Sequence, residues 1–403
     1  MSRPPLRFLD RKTAPHTVTL VILAGLSTLA MNIFLPSLPG MARWFGVDYA
    51  TIQLAVPLYL AGSAALQVIV GPLSDRFGRR PVILAALLLF IAATLVGLFA
   101  PNVHWFLAAR IVQAVVATGM ALSRAVIRDM VPTEEAASMI GYVTMAMSVV
   151  PMIGPALGGA LDESFGWQAS FVLLIAAGIL TTLLVWLDLG ETAQPSGRGF
   201  AAQFRDYPAL LASPRFWGYA AVASLASGAF FAYLGGAPFV GEKVFGLTPA
   251  AIGYYFAAPA IGYALGNFIA GRFSRRYGID RMILAGTLLA TGTLIVGALL
   301  ARAFPPHPML FFPFTGLMAM GNGMTLPNAN AGMLSVRPHL AGSASGLGGA
   351  LMIGGGALLA AITGHLLNET TGHAMLLEVM AASSALSILA ILLVIRRARR
   401  VRR

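Results

Sequence analysis

Twelve mostly apolar stretches follow one another along the chain, near 17–38, 50–71, 81–100, 103–124, 138–161, 167–188, 216–240, 249–271, 281–301, 309–334, 342–365 and 373–395. A bilayer core about 30 Å thick is crossed by roughly 20 residues of helix. Lipid offers no hydrogen bonds, so only helices or closed barrels cross it. Runs of this length predict an all-α integral membrane protein of twelve transmembrane helices. Composition agrees: 58% of residues are hydrophobic and 10% charged, against about 25% charged in a soluble domain. The basic segment 1–16 is not followed by a short apolar core with a small-residue cleavage site, so the first run is expected to stay as a helix. Without cysteine, disulfide and thiolate–metal chemistry are closed to the chain.

Lys and Arg set the orientation. With both termini inside, the inner side takes Arg3, Arg7, Arg11 and Lys12, the Arg76–Arg80 turn, Arg124 and Arg128, and Arg198, Arg205 and Arg215. It also takes the Arg272–Arg281 turn, Arg337 and the basic tail from Arg396. The opposite side keeps Arg43, Lys243 and Arg302, and Arg110 stands within a run. The net charge of +12 is then a membrane-surface property, and a nucleic-acid partner is not expected.

The turn Gly71-Pro-Leu-Ser-Asp-Arg-Phe-Gly-Arg-Arg80 has a worn copy 200 residues later, Gly271-Arg-Phe-Ser-Arg-Arg-Tyr-Gly278. Gly71, Ser74, Arg76 and Gly78 match Gly271, Ser274, Arg276 and Gly278. Two equal halves are expected: 1–190 as the N-terminal six helices, 191–215 as a linker on the inner side, and 216–403 as the C-terminal six helices with a basic tail. Paired halves of this kind are the architecture of secondary transporters. No Gly-rich phosphate loop, haem-spaced His pair or intramembrane His/Asp/Glu cluster appears. Neither an enzyme, a metal site nor a cofactor is expected.

Within the turn, Gly71 is expected to allow close helix approach, Gly78 to adopt positive φ, and Asp75, Arg76 and Arg79 to pair with groups at nearby helix ends. Arg110 is costly at membrane depth, by about 2.5–3.5 kcal/mol on insertion scales, and should face a cavity or a partner. Pro151, Gly154, Pro155 and Gly158 in the fifth run are expected to bend that helix and pack it closely on a neighbour. Polar residues on apolar helices mark a binding site. In the first half these are Asn32, Gln53, Tyr59, Arg110 and Gln113; in the second, Tyr233, Tyr255 and Asn322. The rest of the lining would be apolar, suited to lipophilic small molecules.

Gly71-x-Leu-x-Asp75-Arg76-x-Gly78-Arg79-Arg80 resembles the signature between helices 2 and 3 of the major facilitator superfamily. The resemblance implies a major facilitator fold and a latch for one access state, with Asp129 as the acid at the end of helix 4. It also associates an arginine at the place of Arg110 with proton coupling or substrate charge. Gly154-Pro155-x-x-Gly158-Gly159 is similar to the helix 5 motif of the superfamily's drug antiporters, with Val150 in place of an upstream Gly. Three more stretches resemble its Bcr/CflA (bicyclomycin/chloramphenicol-resistance) group: Asn32–Pro39, Arg124–Asp129, and Leu326–Ala329 with Ala341–Gly346.

That resemblance implies a monomeric multidrug efflux transporter of a bacterial inner membrane, exchanging lipophilic drugs for protons by alternating access. The group usually carries Asp where this chain has Asn32, which does not titrate, and none of the 15 acids falls at the middle of a run. Three possibilities stay open: protons use an acid nearer the cytoplasm such as Asp129, Arg110 pairs with an anionic or electron-rich substrate, or there is no proton coupling. Carriage of a small, perhaps anionic, metabolite is the alternative. A membrane ligand sensor is disfavoured because no signalling domain or long tail is present.

Overall fold

The structure, a computed structural model, describes residues 8–11, 15–131, 133–193, 207–337 and 340–401. The described residues form twelve long helical segments. The first six are α1 (Thr17–Phe45), α2 (Tyr49–Phe77), α3 (Arg79–Leu98), α4 (Val103–Met130), α5 (Thr133–Phe165) and α6 (Gln168–Asp188). The second six are α7 (Pro214–Val244), α8 (Pro249–Tyr255 continuing as Ala257–Tyr277), α9 (Ile279–Ala303), α10 (Phe312–Val336), α11 (Ala341–Leu366) and α12 (Gly372–Val401). Among the described residues, nine are long and apolar enough to cross a membrane. Helices α8 and α10 are less apolar because they carry Asn267, Asn322, Asn328 and many glycines. The middle of the expected linker, with Arg198 and Arg205, lies outside the described residues, as do Arg3, Arg7, Lys12, Arg402 and Arg403.

Several helices overrun their apolar runs, since hydropathy marks the bilayer and not the helix end. Most of the charged stretch expected to be a turn is therefore helical: α2 continues to Phe77, and Gly78 alone breaks it from α3. The face carrying these ends is called the basic face below, and the opposite one the far face.

The repeat extends beyond the signature. Gly78 (φ 95°, ψ 151°) and Gly278 (φ 84°, ψ 153°) turn the chain identically. So do Gly46 and Gly246, at φ 65° and 66°. After each of these, a side chain 200 residues apart caps the next helix: Asp48 accepts from the Thr51 N–H and Thr248 from the Ala251 N–H. Positive φ costs an L-residue about 1–2 kcal/mol, which glycine avoids.

Side chains such as Leu180 and Leu393 are about two-thirds exposed, an apolar surface that belongs in lipid. Exposed Trp44 and Trp105 near the far face, and Trp186 and Trp217 near the basic face, form the aromatic belts of a membrane interface. Helix α1 packs on α4, α5 and α6, and α3 on α4 and α6; α7 packs on α10, α11 and α12, and α9 on α10 and α12. Helices α2 with α11, and α5 with α8, join these groups. Toward the basic face each six-helix group buries its own core, around Leu23, Leu87 and Val126 in one and Phe216, Tyr219 and Ile391 in the other. Toward the far face a single core takes in Phe34 and Phe106 of the first together with Tyr233 and Phe311 of the second.

On the basic face, buried Asp188 accepts the backbone N–H of Leu9 (2.7 Å) and His16 (2.8 Å) and the Thr19 hydroxyl (2.6 Å). This carboxylate at the end of α6 folds the preceding segment onto the bundle.

Candidate functional site

A cavity of about 300 Å³ lies between the two groups of six helices. Its wall is mostly apolar: Met31, Phe231, Leu234 and Phe256 are typical. Of the residues expected at a substrate site, Asn32, Tyr59, Tyr233 and Asn322 line it. Asn32 donates to the Thr28 carbonyl (2.8 Å), and its buried side-chain oxygen has no partner. The Tyr59 hydroxyl donates to the Ser27 carbonyl (3.2 Å) and the Asn322 amide to the Ala226 carbonyl (2.9 Å), which fixes both side chains at the wall.

Gln53, Tyr255, Arg110 and Gln113 stand outside the wall. Gln53 reaches from α2 to α11, donating to the Ala360 carbonyl (2.9 Å). Tyr255 stacks on Phe312 with ring centroids 4.3 Å apart and planes 12° apart. Arg110 is 1% exposed and enclosed by α1, α2 and α4. Its guanidinium donates to the carbonyls of Ala30 (3.2 Å) and Ala55 (3.4 Å) and to the Gln113 side-chain oxygen. It lies between the rings of Phe34 and Tyr59, 4.2 and 4.5 Å from their centroids. Gln113 in turn donates to the Thr94 hydroxyl (2.8 Å). A sandwiched guanidinium gains roughly 0.5–2 kcal/mol from each ring, so dipoles and π faces replace the missing counter-ion.

The residues expected to act in gating meet in two places. On the basic face Arg79 is the hub. It pairs with Asp75 (2.5 Å) one turn earlier and with Asp129 at the end of α4 (3.1 Å), and it donates to the Ser74 hydroxyl. Asp75 therefore has its ion pair across the Gly78 break, with the first residue of α3, and it is Arg79, not Arg76, that reaches Asp129. Arg76 lies over the ring of its neighbour Phe77. The close approach expected at Gly71 is absent: a Cβ there would meet nothing within 4 Å. Glycine relieves no crowding there.

At the far face, α5 is wedged between α1 and α8. It runs through Pro151 and Pro155 as one helix. Added Cβ atoms would come within 3.3 Å of Leu29 at Gly154 and within 1.7 Å of the Ile33 carbonyl oxygen at Gly158. Gly159 faces the other side, where a Cβ would lie 2.2 Å from the Pro249 oxygen, and Gly253 meets the Pro155 oxygen in the same way. Four polar ties cross beside this seam. Arg43 pairs with Glu242, Glu163 accepts the Ala250 N–H (3.0 Å), the Tyr49 hydroxyl donates to the Gly235 carbonyl (2.6 Å), and Gln53 bonds Ala360. Near the tie, burial raises the Asp162 carboxyl above its ordinary range, while hydrogen bonds from Thr248 and then Ala250 lower Glu163.

Two participants escaped the sequence reading. Glu191 accepts the backbone N–H of both Arg79 (2.9 Å) and Arg80 (3.3 Å), closing the start of α3; the signal was a helix that begins after a glycine, which has no capping side chain. Arg124, read as an inner-side charge and part of a family stretch but not as a binding residue, lines the cavity. No group of three His, Asp or Glu able to hold a metal ion occurs among the described residues.

The sequence profile of the Major Facilitator Superfamily matches residues 20–361 and 242–403. The chain is 31% identical over 364 residues to the uncharacterized MFS-type transporter YdgK of Bacillus subtilis, covering 87% of this chain and 88% of that one. It is 27% identical over 386 residues to the bicyclomycin resistance protein homolog of Haemophilus influenzae, covering 94% and 96%. In fold it is similar to the crystal structure of a bacterial homolog of the human lysosomal transporter Spinster, with a TM-score of 0.75, 19% identity, and coverage of 95% and 96%.

Proposed function

Since the chain belongs to the major facilitator superfamily, resembling its bicyclomycin- and chloramphenicol-resistance transporters, we propose that it exports lipophilic drugs from a bacterial cell across the inner membrane. The basic face is cytoplasmic in this reading, with both termini there, and the protein acts as a monomer. The halves 1–190 and 216–403 rock about the cavity, and residues 191–215 link them. The carrying observation is the cavity itself, which is apolar, lies at the seam, and draws Asn32 and Tyr59 from one half and Tyr233 and Asn322 from the other.

The observed arrangement supports a state closed at the far face, where the four polar ties and the shared core lie. Exchange for protons is part of the proposal. No Asp or Glu lines the cavity among the described residues, so the proton is assigned outside its wall. The candidates are Asp129 on the basic face and the Asp162, Glu163 and Glu242 group on the far face. Arg110 in its cage supports helix packing and does not favour the metabolite alternative.

Expression in a pump-deficient bacterium should raise tolerance to at least one lipophilic antibiotic; no shift across a broad panel would sink export. In proteoliposomes, efflux should respond to an imposed pH gradient. If Asn32→Asp leaves that response unchanged, the proton site lies elsewhere, as assigned here.

A further inference from the structure

The cavity's only charged wall residue among those described is Arg124, from α4. Its side chain is exposed and faces that space; like Arg110 it pairs with no acid among the described residues, but no carbonyls and rings cage it as they cage Arg110. Among the described residues no carboxylate lines the cavity beside it. Asp129, one and a half turns on, is engaged by Arg79, and Arg128 adds a second positive charge beside the Arg124 backbone. Across the cavity stands Tyr263 of α8. A cation facing a low-dielectric space attracts anions and repels cations more strongly than it would in water.

The opposite part of the wall has a different character. The buried Asn32 side-chain oxygen and Ser63 hydroxyl line the cavity and have no hydrogen-bond partner. Buried polar groups left unpaired are costly and mark places where a ligand supplies the partner. Between these ends the wall is apolar, with Met120, Phe230, Leu326 and Met352. Methionine-rich walls adapt to varied shapes.

We propose that the cavity selects lipophilic molecules carrying one anionic group, such as a carboxylate, held by Arg124, and discriminates against lipophilic cations. The body fills the apolar middle, and a hydroxyl or amide at the other end bonds Asn32 and Ser63. The inference rests on the reading of this cavity as the substrate site.

Three dansyl probes that share a fluorophore and differ in their charged end test it on the purified full-length protein. They are dansylglycine (anion), dansylamide (neutral) and dansylcadaverine (cation), each followed by fluorescence titration. The expected result is binding of dansylglycine at least about tenfold tighter than dansylcadaverine, a difference of about 1.4 kcal/mol. Arg124→Gln should bring the two within about twofold and leave dansylamide unchanged, and Arg124→Lys should keep the preference. Arg124 lines the cavity and is not part of a packed core, so these variants should fold, which thermal melting checks. Equal binding of anion and cation by the unaltered protein, or an undiminished preference in Arg124→Gln, overturns the anion assignment and leaves the cavity reading intact. Failure of all three probes to bind saturably overturns the cavity reading and this inference together.

Discussion

The Arg110 guanidinium stacks on the Phe34 ring at 4.2 Å, inside one half and away from the cavity. Arg110→Met leaves the Ala30 and Ala55 carbonyls and the Gln113 oxygen without their donor, at about 1–3 kcal/mol for a buried unsatisfied group. The expected outcome is a loss of about 2–4 kcal/mol in stability, read as a lower melting temperature in detergent, with an unchanged ratio of anionic to neutral probe binding. Selective loss of the anionic probe would move Arg110 to the substrate site.

The far-face seam depends on glycines. Gly159→Ala and Gly253→Ala place Cβ atoms 2.2 and 2.4 Å from backbone oxygens of the opposing helix, which cannot yield as a side-chain tip does. Both should disfavour the closed far face. As the chain has no cysteine, a single cysteine at Ser63 reports this cleanly. Its labelling by a membrane-impermeant thiol reagent from the far side should rise at least several-fold in either variant; an unchanged rate would show that the seam does not gate access.

The same assay reads pH dependence. Glu163 is lowered by hydrogen bonds, so its ionised form favours the tie. That contribution is complete above its ordinary value of 4.5 and is lost as pH falls through the lowered value. Asp162 is raised by burial, so protonation favours the closed seam, and that contribution fades as pH rises from 3.8 through the raised value. The two oppose each other. In Asp162→Asn the Glu163 effect is no longer opposed by Asp162, and labelling at Ser63→Cys, taken relative to the reagent's rate with a free thiol at the same pH because the thiolate is the reactive form, should increase below pH 4.5. Adding Glu163→Gln should remove that increase.

The repeated glycines separate strain from crowding. Gly78→Ala and Gly278→Ala both meet positive φ, at about 1–2 kcal/mol. Only at Gly78 would the Cβ collide, with the Glu191 carboxylate that caps α3; at Gly278 nothing lies within 4 Å. Gly78→Ala should therefore lower the melting temperature more. Glu191→Ala should lose about 1 kcal/mol, the usual worth of a helix cap, and narrow the gap between the two glycine variants.

The twelve runs, the charge bias and the 200-residue repeat were legible because each is set by the chain's own order. Apolar length is counted along one helix, and Gly78 and Gly278 need positive φ for local reasons. The helix 5 glycines were legible as packing positions, but not their division between α1 and α8. The site was legible only in part, since Asn32, Tyr59, Tyr233 and Asn322 reach the cavity while Gln53, Gln113 and Tyr255 make contacts elsewhere.

The contrast between Arg110 and Arg124 shows the physical reason. Both lie on α4, 14 residues apart, and the sequence singled out the deeper one because a charge at membrane depth needs a reason. What answers that charge is the pair of rings from α1 and α2 together with backbone oxygens, contacts that exist only once three helices meet. The sequence by itself determined a twelve-helix, two-fold repeated membrane protein with most of its basic residues on one face. Tertiary structure decided which arginine faces the cavity, because the direction in which a helix turns each side chain has meaning only against the neighbours packed around it.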